Sequence, residues 1–176
     1  GETVIAWLWA RTVKSPNPAI NAHVPLVRSF ILSKKKGRER WAKPVVEGNT
    51  VRFEVIEGTP PKGKDGTIQR GNGVCIISGV PIPGEYIRRE SYEGRMSEML
   101  MAIVTEGRNG RNYHSPDEQH VKAARNATPQ WKPTEAMNRD TPDLVSGRGY
   151  GFFEWADLFT PRQLVALTTF SDLVGE

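Results

Sequence analysis

The stretch Thr3-Val4-Ile5-Ala6-Trp7-Leu8-Trp9-Ala10-Arg11-Thr12-Val13 is dominated by β-branched, aromatic and aliphatic residues. These fit the pleated surface of a strand better than a helix. In strict alternation Val4, Ala6, Leu8 and Ala10 share one face, while Ile5, Trp7, Trp9 and Arg11 share the other. Both faces are largely apolar, so the strand is expected to be covered on both sides. Residues 24–32 read as a second strand, with Pro25 near its start, where a missing donor does least harm. Residues 41–46 and 51–56 alternate again and flank Glu47-Gly48-Asn49-Thr50, which predicts a hairpin. The run Thr59-Pro60-Pro61-Lys62-Gly63-Lys64-Asp65-Gly66 cannot hold a ladder and reads as an exposed loop. Short strands are expected at 66–69, 74–77 and 85–90, between the glycines at 71, 73, 79 and 84.

The second half has a different character. Residues 95–104 fit either a helix or a strand, and their methionines suit core filling better than a binding surface. Ser115-Pro116-Asp117-Glu118 has the Ser-x-x-Glu pattern of a capping box, predicting a helix from residue 116 to about 126. Residues 128–150 read as a long loop. Thr160, Pro161 and Gln163 form a second capping box, and Leu164, Leu167, Phe170 or Ser171, and Val174 then repeat on one helical face. A helix running so close to the last residue is expected of a segment belonging to a longer chain. The fold class predicted is α+β. A β-rich, basic half over residues 1–93 precedes a mixed helical and loop half over 94–176, the two forming one folded unit.

The 176 residues amount to one ordinary domain, and no apolar run approaches the roughly 18 residues needed to cross a bilayer. No basic-then-apolar leader opens the chain, and the single cysteine, Cys75, rules out an internal disulfide framework. A cytoplasmic protein without membrane contact is expected. Residues 1–89 carry 15 Lys/Arg and 7 Asp/Glu, a balance of +8, whereas residues 90–176 carry 9 and 13, a balance of −4. The basic half favours a polyanion-facing surface. Its densest cluster is Lys34, Lys35, Lys36, Arg38 and Arg40, followed by Trp41, with Arg28 upstream. Such a run suits either a solvated turn around Gly37 or contact with nucleic-acid phosphates.

Catalytic constellations are harder to find. His23, His114 and His120 have no paired-ligand spacing, and there is neither a Gly-x-Ser-x-Gly elbow nor a Walker loop. Gly147-Arg148-Gly149-Tyr150-Gly151 lacks the strand before and the small-residue helix after that a dinucleotide or methyl-donor loop requires. Asn126-Ala127-Thr128 fits a glycosylation acceptor, but without a secretory leader no modification is expected there. Two turn-forming stretches, Ser15 to Asn21 and Cys75 to Gly79, have the look of metal-binding turns, yet only Cys75 is an ordinary ligand. No catalytic, cofactor-binding or metal residue is assigned.

Several stretches carry a family resemblance. They are Trp7 to Val13, Val24 to Phe30 with Leu32 to Gly37, Val51 to Glu54, Ile82 to Ile87, and the long Asp157 to Val174 run. On these the chain resembles the middle part of the adenine-specific DNA methylases that contain a zinc ribbon, over essentially its whole length. In that family cysteines commonly stand where this chain has Ser15, Ile20, Cys75 and Ser78. One of the four is kept, so a degenerate, ribbon-like scaffold is implied rather than a zinc site. The resemblance implies methyl transfer from S-adenosylmethionine to the adenine amine of DNA, on a base extruded from the stack. It places the donor motif before this segment and the Asp-Pro-Pro-Tyr motif after it, so no cofactor site falls within the segment.

Three functional readings result. The first is a DNA-facing accessory or target-recognition segment, silent alone, with Arg28, Lys34, Lys35, Lys36, Arg38 and Arg40 as phosphate contacts. Its partners would be DNA and the rest of the methylase chain. The second is a structural or oligomerisation insert bracing the catalytic domain, favoured by an exposed apolar stripe on the last helix. The third is an independent enzyme, which would need the degenerate turns or the 147–151 loop to bind a ligand.

Overall fold

The computed structural model describes residues 1–137 and 148–175. Residues 138–147, part of the expected long loop and the start of the glycine-containing motif, lie outside them. The chain divides into two compact units, one of Gly1–Glu90 with Arg95–Pro116 and one of Ser91–Gly94 with Asp117–Glu176. The first unit therefore takes in a hairpin from beyond residue 93.

Strand β1 (Thr3–Lys14) pairs antiparallel with β2 (His23–Leu26) and with β9 (Ser97–Gly107), and β9 pairs with β10 (Gly110–His114), giving the order β10-β9-β1-β2. The ambiguity over 95–104 resolves as strand. Leu100 through Val104 are buried, the reading of a strand enclosed on both faces. β1 itself is not. Ile5 and Trp7 are 42% and 48% exposed, so the expected cover on its second face is incomplete at the amino-terminal end.

A second sheet has the order β3-β4-β5, from Ile31–Ser33, Arg40–Glu47 and Thr50–Glu57. Glu47 pairs with Thr50, leaving a two-residue turn whose first residue, Gly48, has φ 59°, as a type II′ hairpin turn requires. Pro44 lies where β3 no longer pairs with β4, so its missing N–H interrupts no ladder there. Ala10 and Met101 of the first sheet pack with Trp41, Ala42 and Phe53 of the second, and Val27 and Phe30 join them.

The expected single strand over 24–32 is instead two short strands in different sheets. Between them Val27 donates to Thr67 Oγ1 (2.9 Å) and accepts from Thr67 N–H (2.7 Å), and Phe30 N–H donates to the Asp65 carbonyl (2.6 Å). The 65–68 segment thus satisfies the backbone that a sheet neighbour would otherwise pair.

Three short strands, β6 (Ile68–Gln69), β7 (Asn72–Val74) and β8 (Pro81–Ile82), form a third small sheet. The strand expected at 85–90 is helix α1 (Gly84–Tyr92). Its straight-chain Glu and Arg residues lose little rotamer freedom in a helix, and Ile87 and Glu90, three apart, are its buried face. Glu90 is 4% exposed and accepts from Arg95 Nη2 and Nε at 2.6 and 3.1 Å. These bonds hold its carboxyl below the usual carboxylate range against the opposing effect of burial. A depressed folded value stabilises above the unfolded value of about 4.3 and loses that contribution as pH falls through the folded one. Wild type should therefore be more stable than Glu90→Gln at pH 6, and the gap should shrink towards pH 3. A gap independent of pH in urea titrations would refute the role.

The second unit holds α2 (Glu118–Arg125), a short 3-10 turn at Trp155–Leu158, and α3 (Pro161–Gly175). The α2 cap is Asp117, whose carboxylate accepts from His120 N–H at 3.0 Å, and not Ser115. The Ser115 hydroxyl accepts from Val55 N–H instead (2.9 Å), which moves the helix start two residues on. Half of the expected α3 box forms: Thr160 N–H donates to Gln163 Oε1 at 2.8 Å, while Gln163 N–H donates to the Thr160 carbonyl and not to its hydroxyl. Leu164 is buried on α3, but Leu167, Phe170 and Val174 are exposed, so the predicted apolar face is largely uncovered. Among the described residues no helix is long and apolar enough to cross a membrane.

Candidate nucleic-acid interface

The turn between β3 and β4 carries the basic run, and its register is set by pairing of Ser33 with Arg40. Beside it lies β10, brought there because β5 packs on β9 and β10. Between them is an open cleft of about 450 Å³, lined by Lys35, Arg38, Arg40, Arg111, Asn112 and His114 among others. Arg38 donates to the Asn109 carbonyl at 2.5 Å and to Asn112 Oδ1 at 3.5 Å, which ties the two turns together. Arg40 is paired with Glu57 at 2.7 Å and contributes less positive potential. Lys35 and Arg111 are exposed and form no ion pair among the described residues. His114 Nε2 sits 3.0 Å from Glu2 Oε2 and 2.8 Å from the Thr105 hydroxyl. The Thr105 hydroxyl, followed by His114 and Asn112, holds the Glu2 carboxyl below the usual range against its partial desolvation; Glu2 itself is not part of the cleft lining.

The six basic residues singled out from the sequence are therefore not one site. Lys35, Arg38 and Arg40 line the cleft; Lys34 and Lys36 are exposed on the same turn but outside its lining. Arg28 faces a separate groove of about 890 Å³ with Asp65, Gln69, Arg70 and Asn72. Sequence reading missed Arg111 and His114, whose approach depends on contacts spanning more than 70 residues, as in the Arg38 to Asn109 bond. The run Arg108-Asn109-Gly110-Arg111 was the available signal, basic residues around a hairpin turn.

The two turns suspected of metal ancestry do meet. Ser15 Oγ lies 3.3 Å from Cys75 Sγ, and both residues are buried. Burial pushes the Cys75 thiol up, but hydrogen bonds from the Ser15 and Ser78 hydroxyls and the Ser78 and Ile77 N–H groups outweigh it, so the net direction is down. The donor set does not fit zinc. One thiolate and two hydroxyls fall short of four thiolate or imidazole ligands, and Ile20 offers none. Among the described residues no group of three or more His, Cys, Asp or Glu is placed to hold a metal ion.

Comparison with protein-family models, with curated proteins and with solved structures found no match to this chain.

Proposed function

We propose that this chain is a DNA-contacting segment of an S-adenosylmethionine-dependent adenine-specific DNA methyltransferase, silent in catalysis by itself. The observation that carries the DNA contact is the meeting of Lys35, Arg38 and Arg111 around one open cleft with few compensating carboxylates. Clustered cations release condensed counterions from a duplex and bind it without regard to sequence. Methylase parentage is supported by the sequence resemblance, above all over residues 157–174. The apposed Ser15 and Cys75 turns suit a ribbon-like scaffold whose metal has been replaced by buried hydrogen bonds. Donor and adenine pockets would belong to other parts of the parent chain.

The test is fluorescence anisotropy of the full chain with a labelled duplex at two salt concentrations. Three to four neutralised phosphates should weaken binding about 40- to 150-fold between 50 and 200 mM salt. Lys35→Ala with Arg111→Ala should weaken binding to every duplex and reduce the salt slope by about two. Affinity indifferent to salt, or to both substitutions, would sink the reading.

A structural insert is the second reading, favoured by α3, where Leu167, Phe170 and Val174 are 48%, 68% and 86% exposed. An apolar stripe of that kind suits docking on another protein surface. A chain that binds no duplex but associates with the flanking methylase regions would favour it.

A further inference from the structure

The second groove of the first unit differs in chemistry from the cation cleft. Its outer wall is the β6–β7 hairpin, whose two turn residues, Arg70 and Gly71, have φ of 50° and 83°. Positive φ at both central positions is the type I′ pattern, which Asn and Gly adopt readily and a long side chain does not. Arg70 is the one non-glycine residue with positive φ among those described. Strained positions of this kind cluster where a side chain has a functional task.

The tip is also held in place. Gln69 pairs with Asn72, so their side chains share one face beside the turn. Asn72 Oδ1 accepts from Gly84 N–H at 2.9 Å, leaving its amide protons to donate elsewhere. A Cβ at Gly84 would lie 2.8 Å from the Gly71 carbonyl, so the turn is seated directly on the start of α1. Arg28 and Asp65 also line the groove. Arg28, Gln69 and Arg70 are exposed, and neither arginine has an ion pair among the described residues.

We propose that the Gln69-Arg70-Gly71-Asn72 tip is a base-reading element that enters the major groove of duplex DNA. The inference rests on the DNA-contact reading above and adds sequence readout to it. The major groove admits a two-stranded ribbon. An arginine bonds guanine O6 and N7 in pairs, a glutamine or asparagine amide matches adenine N6 and N7, and a carboxylate such as Asp65 accepts from cytosine N4. In the Lys35, Arg38 and Arg111 cleft, Asn112 is already bonded to Arg38 and Glu2, and His114 to Thr105 and Glu2, which leaves the cations to meet phosphate. Division between the two surfaces assigns positioning to one and reading to the other.

The experiment is selection from a randomised duplex pool with the full chain, followed by affinities for the enriched and a scrambled duplex. Wild type should enrich a short motif and prefer it by about 5- to 150-fold for each well-read base pair. Arg70→Gly should raise the melting temperature, because glycine fits the turn without strain, while its preference at one position falls below about twofold. Gln69→Ala should lose preference at a neighbouring position. Lys35→Ala should weaken both duplexes equally and keep the preference. Duplex binding without an enriched motif, or an Arg70→Gly chain that still discriminates, would overturn base reading but leave phosphate contact standing. Absence of any duplex binding would overturn both.

Discussion

Phe53→Ala is expected to cost about 3–5 kcal/mol of folding free energy, the usual range for deleting a buried aromatic ring. Phe53 is 3% exposed on β5, opposite Pro44, and its ring centroid lies 6.0 Å from that of Phe30. The site joins the two main sheets, since Ala10 and Met101 from one meet Trp41 and Ala42 from the other around it. Two of these neighbours are alanines, and each backbone is fixed by ladder hydrogen bonds, so the cavity has little means of collapsing. Phe53→Leu, which retains most of the apolar volume, should cost about 1–2 kcal/mol. Chemical denaturation followed by circular dichroism and tryptophan emission measures both. A loss below about 1 kcal/mol for the alanine variant would show that the ring does not pack as described.

Gly66→Ala should be nearly as damaging, about 2–4 kcal/mol, for the opposite physical reason. A Cβ at this position would stand 2.4 Å from the Arg28 carbonyl oxygen and 2.5 Å from that of Val27. Both obstacles are backbone, so no side chain can swing aside. The 65–68 segment would have to retreat, and with it the bonds from Phe30 N–H to Asp65 and from Thr67 and Ile68 N–H to Val27. Those bonds pay for the crossing between sheets, and each is worth about 1 kcal/mol when lost. Because Gly66 lies on the wall of the groove that holds Arg28, the same substitution should also disturb any ligand bound there. Thermal melts of Gly66→Ala and Gly66→Ser should fall together. An unchanged melt would mean that the segment is looser than its contacts indicate.

These two sites illustrate how unevenly the fold can be read from residues alone. Phe53 belongs to a hairpin legible from alternation and its Gly-Asn turn. Nothing around Gly66 distinguishes it from an exposed loop glycine, because its constraint comes from a backbone 38 residues earlier in the chain. The same contrast runs through the candidate interface. Lys35, Arg38 and Arg40 stand out as a basic run, whereas Arg111 joins them only through the β5 packing on β9 and β10. Arg70 carries no local sign of interest until its backbone conformation is known. The helix at 84–92 escaped detection because closely spaced glycines and prolines imitate the punctuation of short strands.

By itself the sequence determined the elements whose forces act between near neighbours: β1 from its β-branched and aromatic run, the β4–β5 hairpin from alternation, and the start of α3 from the Thr160 to Gln163 box. It also determined that positive charge gathers in the first half. Tertiary structure alone decided which cations share a cleft, which face of β1 stays open, and that Ser15 meets Cys75 across 60 residues. Alternation and capping are settled within a few residues, while pairing and burial depend on partners anywhere along the chain.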